Sequence, residues 1–251
     1  MYDKKYFINK FFLVTGASSG IGKEVCIFLS RLGANLILCG RNEIRLNDVY
    51  DVLEKNNNKH QLFLGDLNNE INMDVLIELL PQLDGVVLSA GIIQTLPLKF
   101  LNADNLSEVM KTNFQTPIIL IQKLIKKKLI KNKASIVFIS SIAGNLIGSK
   151  GKCAYSASKS ALNGISKVMA LELASQKIRV NCINPGIVRT PMIDEDNGAI
   201  TNEQFKEDEK AYPLGYGEPA DVAGAVVFML SDLSKWITGS SLIIDGGFTI
   251  V

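Results

Sequence analysis

Tyr155 and Lys159 stand four residues apart in the run Tyr155-Ser156-Ala157-Ser158-Lys159. If that run is helical, positions i and i+4 share one face, so the phenol and the ammonium point into a common space. A neighbouring ammonium favours phenolate over phenol and lowers a tyrosine pKa from its usual ~10. Such a tyrosine can give and take a proton near neutral pH. By itself the pair is weak evidence, because any amphipathic helix can carry a tyrosine and a lysine on one side. Its weight comes from a glycine-rich turn near the N-terminus and from the order of elements between the two.

The elements that must hold this pair are legible as an alternation. Short apolar, β-branched runs at Phe11–Thr15, Asn35–Cys39, Gln61–Gly65, Gly85–Ser89, Ser135–Ser140, Arg179–Asn184 and Ser241–Asp245 read as strands. Five helix-length amphipathic stretches separate the first six. The pattern predicts an α/β fold: a Rossmann-type, doubly wound parallel sheet of about seven strands with helices on both faces. At 251 residues the chain is expected to be a single domain, 1–251. The segment 191–213, acidic and poor in apolar residues between Pro191 and Pro213, is expected to form a flap over a substrate.

Composition narrows the function. A net charge of +2 is too balanced to argue for nucleic acid or an anionic membrane surface as partner. No uncharged apolar run reaches the ~20 residues of a membrane span, and no apolar leader precedes the first strand. Four scattered cysteines (Cys26, Cys39, Cys153, Cys182) read as free buried thiols in a cytoplasmic protein. The one histidine, His60, argues against a histidine-based metal site and against a Ser-His-Asp triad. No metal is expected.

The turn Thr15-Gly16-Ala17-Ser18-Ser19-Gly20-Ile21-Gly22 runs from the first strand into a helix. Its glycines permit a tight turn, close approach of a pyrophosphate, and close helix–strand packing. Amides at the start of the following helix would face the phosphates. This Thr-Gly-x-x-x-Gly-x-Gly spacing, together with Tyr155-x-x-x-Lys159, resembles the short-chain dehydrogenase/reductase family. Further matching pieces are Ser89-Ala90-Gly91, Asn113, Ser141, Asn184-Pro185-Gly186 and Asp245-Gly246-Gly247, in family order over nearly the whole chain. Two departures stand out: Leu88-Ser89 replaces a usual Asn-Asn, and Pro213-Leu214-Gly215-Tyr216 lacks the arginine common at its last position.

The resemblance implies a dinucleotide cofactor held by Gly16, Ser18, Ser19, Gly20, Ile21, Gly22, Asp66, Leu67, Ala90, Gly91, Tyr155, Lys159, Pro185, Gly186, Val188 and Thr190. Asp66 would meet the adenine amino group, and Val188 and Thr190 the nicotinamide carboxamide. At the end of the second strand, Gly40-Arg41 stands where NAD-preferring members carry aspartate. A guanidinium there suits a ribose 2′-phosphate, with Ser18 in reach, so NADP(H) is expected over NAD(H).

The resemblance also implies a catalytic tetrad of Asn113, Ser141, Tyr155 and Lys159. Tyr155 would be the acid, Ser141 would hold and polarise the carbonyl oxygen, and Lys159 would tune Tyr155 and grip the ribose. Asn113 would hold a water through its backbone and link Lys159 to solvent. Ser141 is preferred to Ser140 because Ser141-Ile142-Ala143-Gly144 matches the family register and strand alternation separates neighbouring side chains. The expected activity is NADPH-dependent hydride transfer to a carbonyl, with a 3-oxoacyl thioester on a carrier protein among the substrates. Lys126, Lys127, Lys128, Lys131 and Lys133 could meet an acidic carrier. The alternative is a sugar or other small alcohol, and a third reading is a nucleotide-binding protein without turnover. By family analogy the long helices, roughly Asn105–Lys126 and Ala154–Ser175, and an apolar tail at Ser241–Val251 would assemble a homotetramer.

Overall fold

The computed structural model describes residues 3, 5–55, 58–196 and 202–251. Seven strands, β1 (Phe11–Thr15), β2 (Asn35–Gly40), β3 (Gln61–Leu64), β4 (Leu83–Leu88), β5 (Ile130–Ile139), β6 (Arg179–Pro185) and β7 (Ser241–Ile244), form one sheet in the order β3-β2-β1-β4-β5-β6-β7. Every pairing is parallel. Parallel strands need crossovers, and helices supply them on both faces.

Alternation along β1 shows how the two layers are filled. Phe12 and Val14 face a core built with α1 (Gly20–Arg31), α2 (Glu43–Val52) and α9 (Pro219–Leu230). Leu13, between them, faces the other core, with α3 (Glu70–Leu79), α5 (Thr116–Lys126) and α6 (Cys153–Glu172). The expected doubly wound sheet is therefore the observed one. Chain direction across the sheet reverses between β1 and β4, and such a switch point leaves a crevice at the carboxyl ends of those strands.

Two elements differ most from the sequence expectation. The fifth strand starts five residues early, because Ile130 pairs with Leu83 and Lys131 Nζ reaches Asp84 Oδ2 at 2.8 Å. Lys133 takes up the resulting irregularity in a left-handed conformation, φ +67. The expected long helix Asn105–Lys126 is α4 (Ala103–Met110), a π turn at Lys111–Gln115, and then α5. A π turn adds a residue and re-aims the side chains around it. Here it buries Asn113.

The lysines that could meet an acidic carrier lie away from the crevice. Lys126, Lys127 and Lys128 end α5, and Lys131 and Lys133 lie at the amino end of β5. The crevice is at the opposite, carboxyl edge of a parallel sheet, so this charge does not rim it.

Candidate active site

Between β1 and α1 the glycine turn is shaped by close backbone approaches. Gly16 has φ +67, and a Cβ there would lie 2.8 Å from the backbone of Ala90. Thr15 Oγ1 accepts the Ala90 N–H at 3.2 Å, which binds the turn to the loop after β4. Gly20 has φ +52 and stands against the Thr190 methyl. Ser19 caps α1 without a side-chain bond, so the first amides of that helix are left for an anion. Gly22 lies behind the turn: its Cβ would fall 2.3 Å from the Gly16 carbonyl oxygen. A Gly22→Ala variant is therefore expected to lose about 1–3 kcal/mol, since backbone must shift to admit the methyl. Denaturant titration checks this, and unchanged stability would contradict the packing argument.

A cleft of about 1070 Å³ opens over this turn and runs along the carboxyl edge of the sheet. At one end it is lined by Gly16, Ser18, Ser19, Gly20 and Ile21, then by Arg41, Asp66 and Leu67. Ala90, Gly91, Ser141, Tyr155 and Lys159 line its middle, with Pro185, Gly186, Val188 and Thr190 opposite. Of the residues singled out from sequence, Gly22 and Asn113 are not on its wall.

Tyr155 and Lys159 share a face of α6, with Lys159 Nζ 5.7 Å from the centre of the Tyr155 ring. Lys159 is buried, and Nζ donates to the Ile139 carbonyl at 2.7 Å. Burial drives its pKa down from the ordinary 10.5 to about 8, because no carboxylate compensates the lost hydration. Ser141 ends β5, and its Oγ accepts the Ala143 N–H at 3.2 Å. The neighbouring Ser140 faces inward: Oγ donates to the Lys159 carbonyl and accepts from Asn163. Gly144 completes the register, since a Cβ there would sit 3.0 Å from the α6 backbone at Lys159 and Ser160.

Asn113 works as a clamp. Its Oδ1 accepts the Ile92 N–H at 2.8 Å, while Nδ2 donates to the Ile92 carbonyl and to Ser158 Oγ. Ser158 in turn donates to the Tyr155 carbonyl at 2.7 Å. One amide thus ties the loop after β4 to the helix carrying Tyr155.

At the far end Arg41 Nη1 lies 3.7 Å from Asp66 Oδ2, with both side chains substantially exposed. Such a pair contributes only about 0–1 kcal/mol, so a phosphate could draw the guanidinium away at little cost. Sequence reasoning missed two neighbours. Asn42 caps α2 by accepting the Arg45 N–H at 2.9 Å, and Arg45 itself lines the cleft. The signal was available, since Arg45 falls in the first turn of a helix that Asn42 marks. At Gly40 a Cβ would crowd the Leu46 and Ser18 side chains at 3.1–3.4 Å.

Arg189 was also missed. Its guanidinium lies 5.5 Å from the Tyr216 ring and bonds Glu209 at 2.6 Å. A cation thus returns, from a different strand end, to the place where Tyr216 replaces the expected arginine. The segment 191–213 holds two short helices, α7 (Pro191–Asp196) and α8 (Asn202–Glu209), and Met192 and Ile193 line the cleft. Residues 197–201 of the expected flap lie outside those described. Of the four thiols, Cys26, Cys39 and Cys182 are buried, which raises their pKa values. Cys153 is exposed at the first turn of α6, against the expectation that all four are buried.

Comparison with known proteins agrees with this geometry. The family model described as Enoyl-(Acyl carrier protein) reductase matches residues 16–249. The chain belongs to the short-chain dehydrogenase/reductase family and is an oxidoreductase acting on CH–OH or C=O groups. Among its relatives is the 3-oxoacyl-[acyl-carrier-protein] reductase FabG of Rickettsia felis, 36% identical, with 95% of this chain and 96% of that protein covered. L-xylulose reductase of Caenorhabditis elegans is 35% identical, with 97% of this chain and 97% of that protein covered. A dehydrogenase/reductase structure from Sinorhizobium meliloti 1021 superposes with a TM-score of 0.88 at 31% identity, over 98% of this chain and 97% of that one.

Proposed function

We propose that the chain is an NADPH-dependent carbonyl reductase in which Tyr155 is the proton donor. The observation that carries this is the convergence of Tyr155, Lys159 and Ser141 on one cleft whose other end is the glycine turn and Arg41. The cradle fits a dinucleotide: Gly16 and Gly20 hold positive φ, and α1 presents amides without a side-chain cap. Ser18, Arg41 and Arg45 would hold the ribose phosphate, with Asp66 and Leu67 at the adenine. Ile21, Ala90 and Gly91 would border the pyrophosphate and ribose, and Pro185, Gly186, Val188 and Thr190 the nicotinamide. Bound there, the cofactor supplies hydride to the carbonyl carbon.

The chain's own residues handle the oxygen. Tyr155 gives its phenolic proton to the developing alkoxide, and Ser141 donates a hydrogen bond that holds that oxygen. Lys159, charged in a dry setting, favours the phenolate that remains and grips the ribose hydroxyls. Asn113 fixes Ile92 and, through Ser158, the backbone of Tyr155; its main chain would hold a water that reconnects Lys159 to solvent. Met192 and Ile193 on α7 cover the substrate.

The substrate is a 3-oxoacyl thioester or a small hydroxylated ketone, as the names of the relatives indicate for those proteins. The second class is favoured by one observation: the lysine run lies at the wrong edge of the sheet to receive an acidic carrier. Exposed apolar residues on the long helices (Ile119, Val168, Leu171) and at the tail (Ile250, Val251) support a homotetramer. Free thiols support a cytoplasmic location.

Cofactor choice gives the test. Charge-assisted bonds of the kind Arg41 offers contribute about 1.5–3 kcal/mol, so NADPH is expected to bind about 10–100-fold more tightly than NADH. Arg41→Asp is expected to reverse that order, read by fluorescence titration of both nucleotides. Equal affinities in the unaltered protein would contradict the assignment.

A further inference from the structure

Gln94 lies on the loop that follows β4 and lines the cleft. Its side-chain oxygen is buried and meets no hydrogen-bond donor among the described residues. Buried acceptors are nearly always satisfied, so an unmet one on the wall of a binding cleft asks what satisfies it. The loop does not hang free. Asn113 holds both backbone groups of Ile92, and the Leu96 N–H donates to the Gly151 carbonyl at 2.8 Å. Gln94 therefore stands between two anchored points.

Its place along the cleft follows from Gly91. A Cβ on Gly91 would lie 3.5 Å from Lys159 Nζ, so the loop leaves the Tyr155–Lys159 face directly. Three residues further on, Gln94 is at most about 11 Å away along the chain, the reach of a small molecule bound at Tyr155. Its chain neighbours Ile92, Ile93 and Thr95 line the same cleft, as do the apolar side chains of Met192 and Ile193. A few polar groups on a largely apolar wall fix orientation and decide which ligand is accepted.

We infer that Gln94 is a specificity residue: its side-chain oxygen accepts a hydrogen bond from an O–H or N–H that the substrate carries near its reactive carbonyl. This rests on the reading of the cleft as a carbonyl reductase site and names a feature its substrate must have. A substrate without the donor enters the same cleft but leaves the acceptor buried and unpaired. Sites built this way reject the analogue lacking the donor far more strongly than an apolar pocket rejects a missing methylene. The donor has two sources, a hydroxyl beside the carbonyl of a hydroxyketone or the amide N–H of a pantetheine-like thioester arm.

Matched pairs separate the sources: hydroxyacetone against acetone, and the N-acetylcysteamine thioester of acetoacetate against its propyl thioester. The measured quantity is the ratio of kcat/KM within each pair, with saturating NADPH, for the unaltered protein and for Gln94→Met. The unaltered protein is expected to favour the donor-bearing member of one pair. Gln94→Met, which keeps the length of the side chain and removes the acceptor, is expected to lower that preference by about 10-fold or more. The pair that responds names the donor. Preferences that are the same in the two proteins would overturn the inference, as would equal losses on both members together with a lowered Tm. If the unaltered protein turned over no member of either pair, the reductase reading itself would fail and take this inference with it.

Discussion

Tyr155→Phe is expected to lower NADPH-dependent carbonyl reduction by ~10²–10⁴-fold, the usual contribution of a positioned general acid. Affinity for NADPH should stay near that of the unaltered protein. The ring, its place on α6 and its 5.7 Å approach to Lys159 Nζ are all retained, and only the proton is gone. The split matters more than the loss. A damaged fold would weaken binding and turnover together, whereas a missing acid lowers kcat alone. Steady-state kinetics alongside nucleotide titration reads both. Near-full reduction by Tyr155→Phe would show that α6 does not carry the acid.

Lys159→Met is expected to move activity and stability in opposite directions. Turnover should fall more than in Tyr155→Phe, and NADPH should bind more weakly, because the ribose contact goes as well. The protein without nucleotide should nevertheless become more stable. Burial lowers the folded pKa of Lys159 to about 8 from 10.5, so holding the ammonium in the fold costs about 3 kcal/mol near neutral pH. Loss of the bond to the Ile139 carbonyl offsets part of that gain, about 1–2 kcal/mol. The net expectation at pH 7 is a stabilisation of about 1–2 kcal/mol, a Tm rise of a few degrees.

The sign with pH follows from a depressed lysine. The cost is fully present below pH 8 and disappears as pH rises towards 10.5, where the unfolded chain also releases the proton. The unaltered protein should therefore close the gap on Lys159→Met across that window. Denaturant titrations of both proteins at several pH values check this. A gap that is constant with pH, or a Lys159→Met protein less stable at pH 7, would show that the ammonium is not held at a cost.

How far the molecule was legible from sequence depends on where each residue's environment comes from. Strands β1 and β2 were placed to within one residue because, buried on both faces, they read as nearly unbroken apolar runs. The amino end of β5 was not, because Lys131-Asn132-Lys133 reads as a solvated loop. It joins the sheet through Leu83, which pairs with Ile130, and Asp84, which meets Lys131, both far away in sequence. The π turn was equally hidden. Nothing local marks Lys111–Gln115, and the turn holds the Asn113 side chain that clamps Ile92, a contact across the fold.

The long helix α6 stopped three residues short of Ser175. A 3₁₀ turn follows it, with Lys177 in the left-handed region at φ 57. In the cleft, the residues legible from sequence were those whose type and spacing carry chemistry: the glycines of the turn, Ser141, Tyr155 and Lys159. Gln94 was not among them, since a glutamine in a loop looks like surface until the fold shows what surrounds it. The lysine run shows a related limit. Composition reveals charge, but only strand direction reveals which edge of the sheet it occupies.

The most direct measurement of the central claim follows a deuterium label. NADPH deuterated at C4 of the nicotinamide, on one face or the other, is incubated with the protein and a ketone or 3-oxoacyl thioester, and the alcohol is analysed by mass spectrometry and NMR. A reductase built on this cleft should transfer deuterium from one face only to the carbinol carbon, with the oxygen taking its proton through Tyr155. Transfer should disappear in Tyr155→Phe. An alcohol without deuterium from either labelled NADPH, or equal transfer from the unaltered protein and from Tyr155→Phe, would contradict the account.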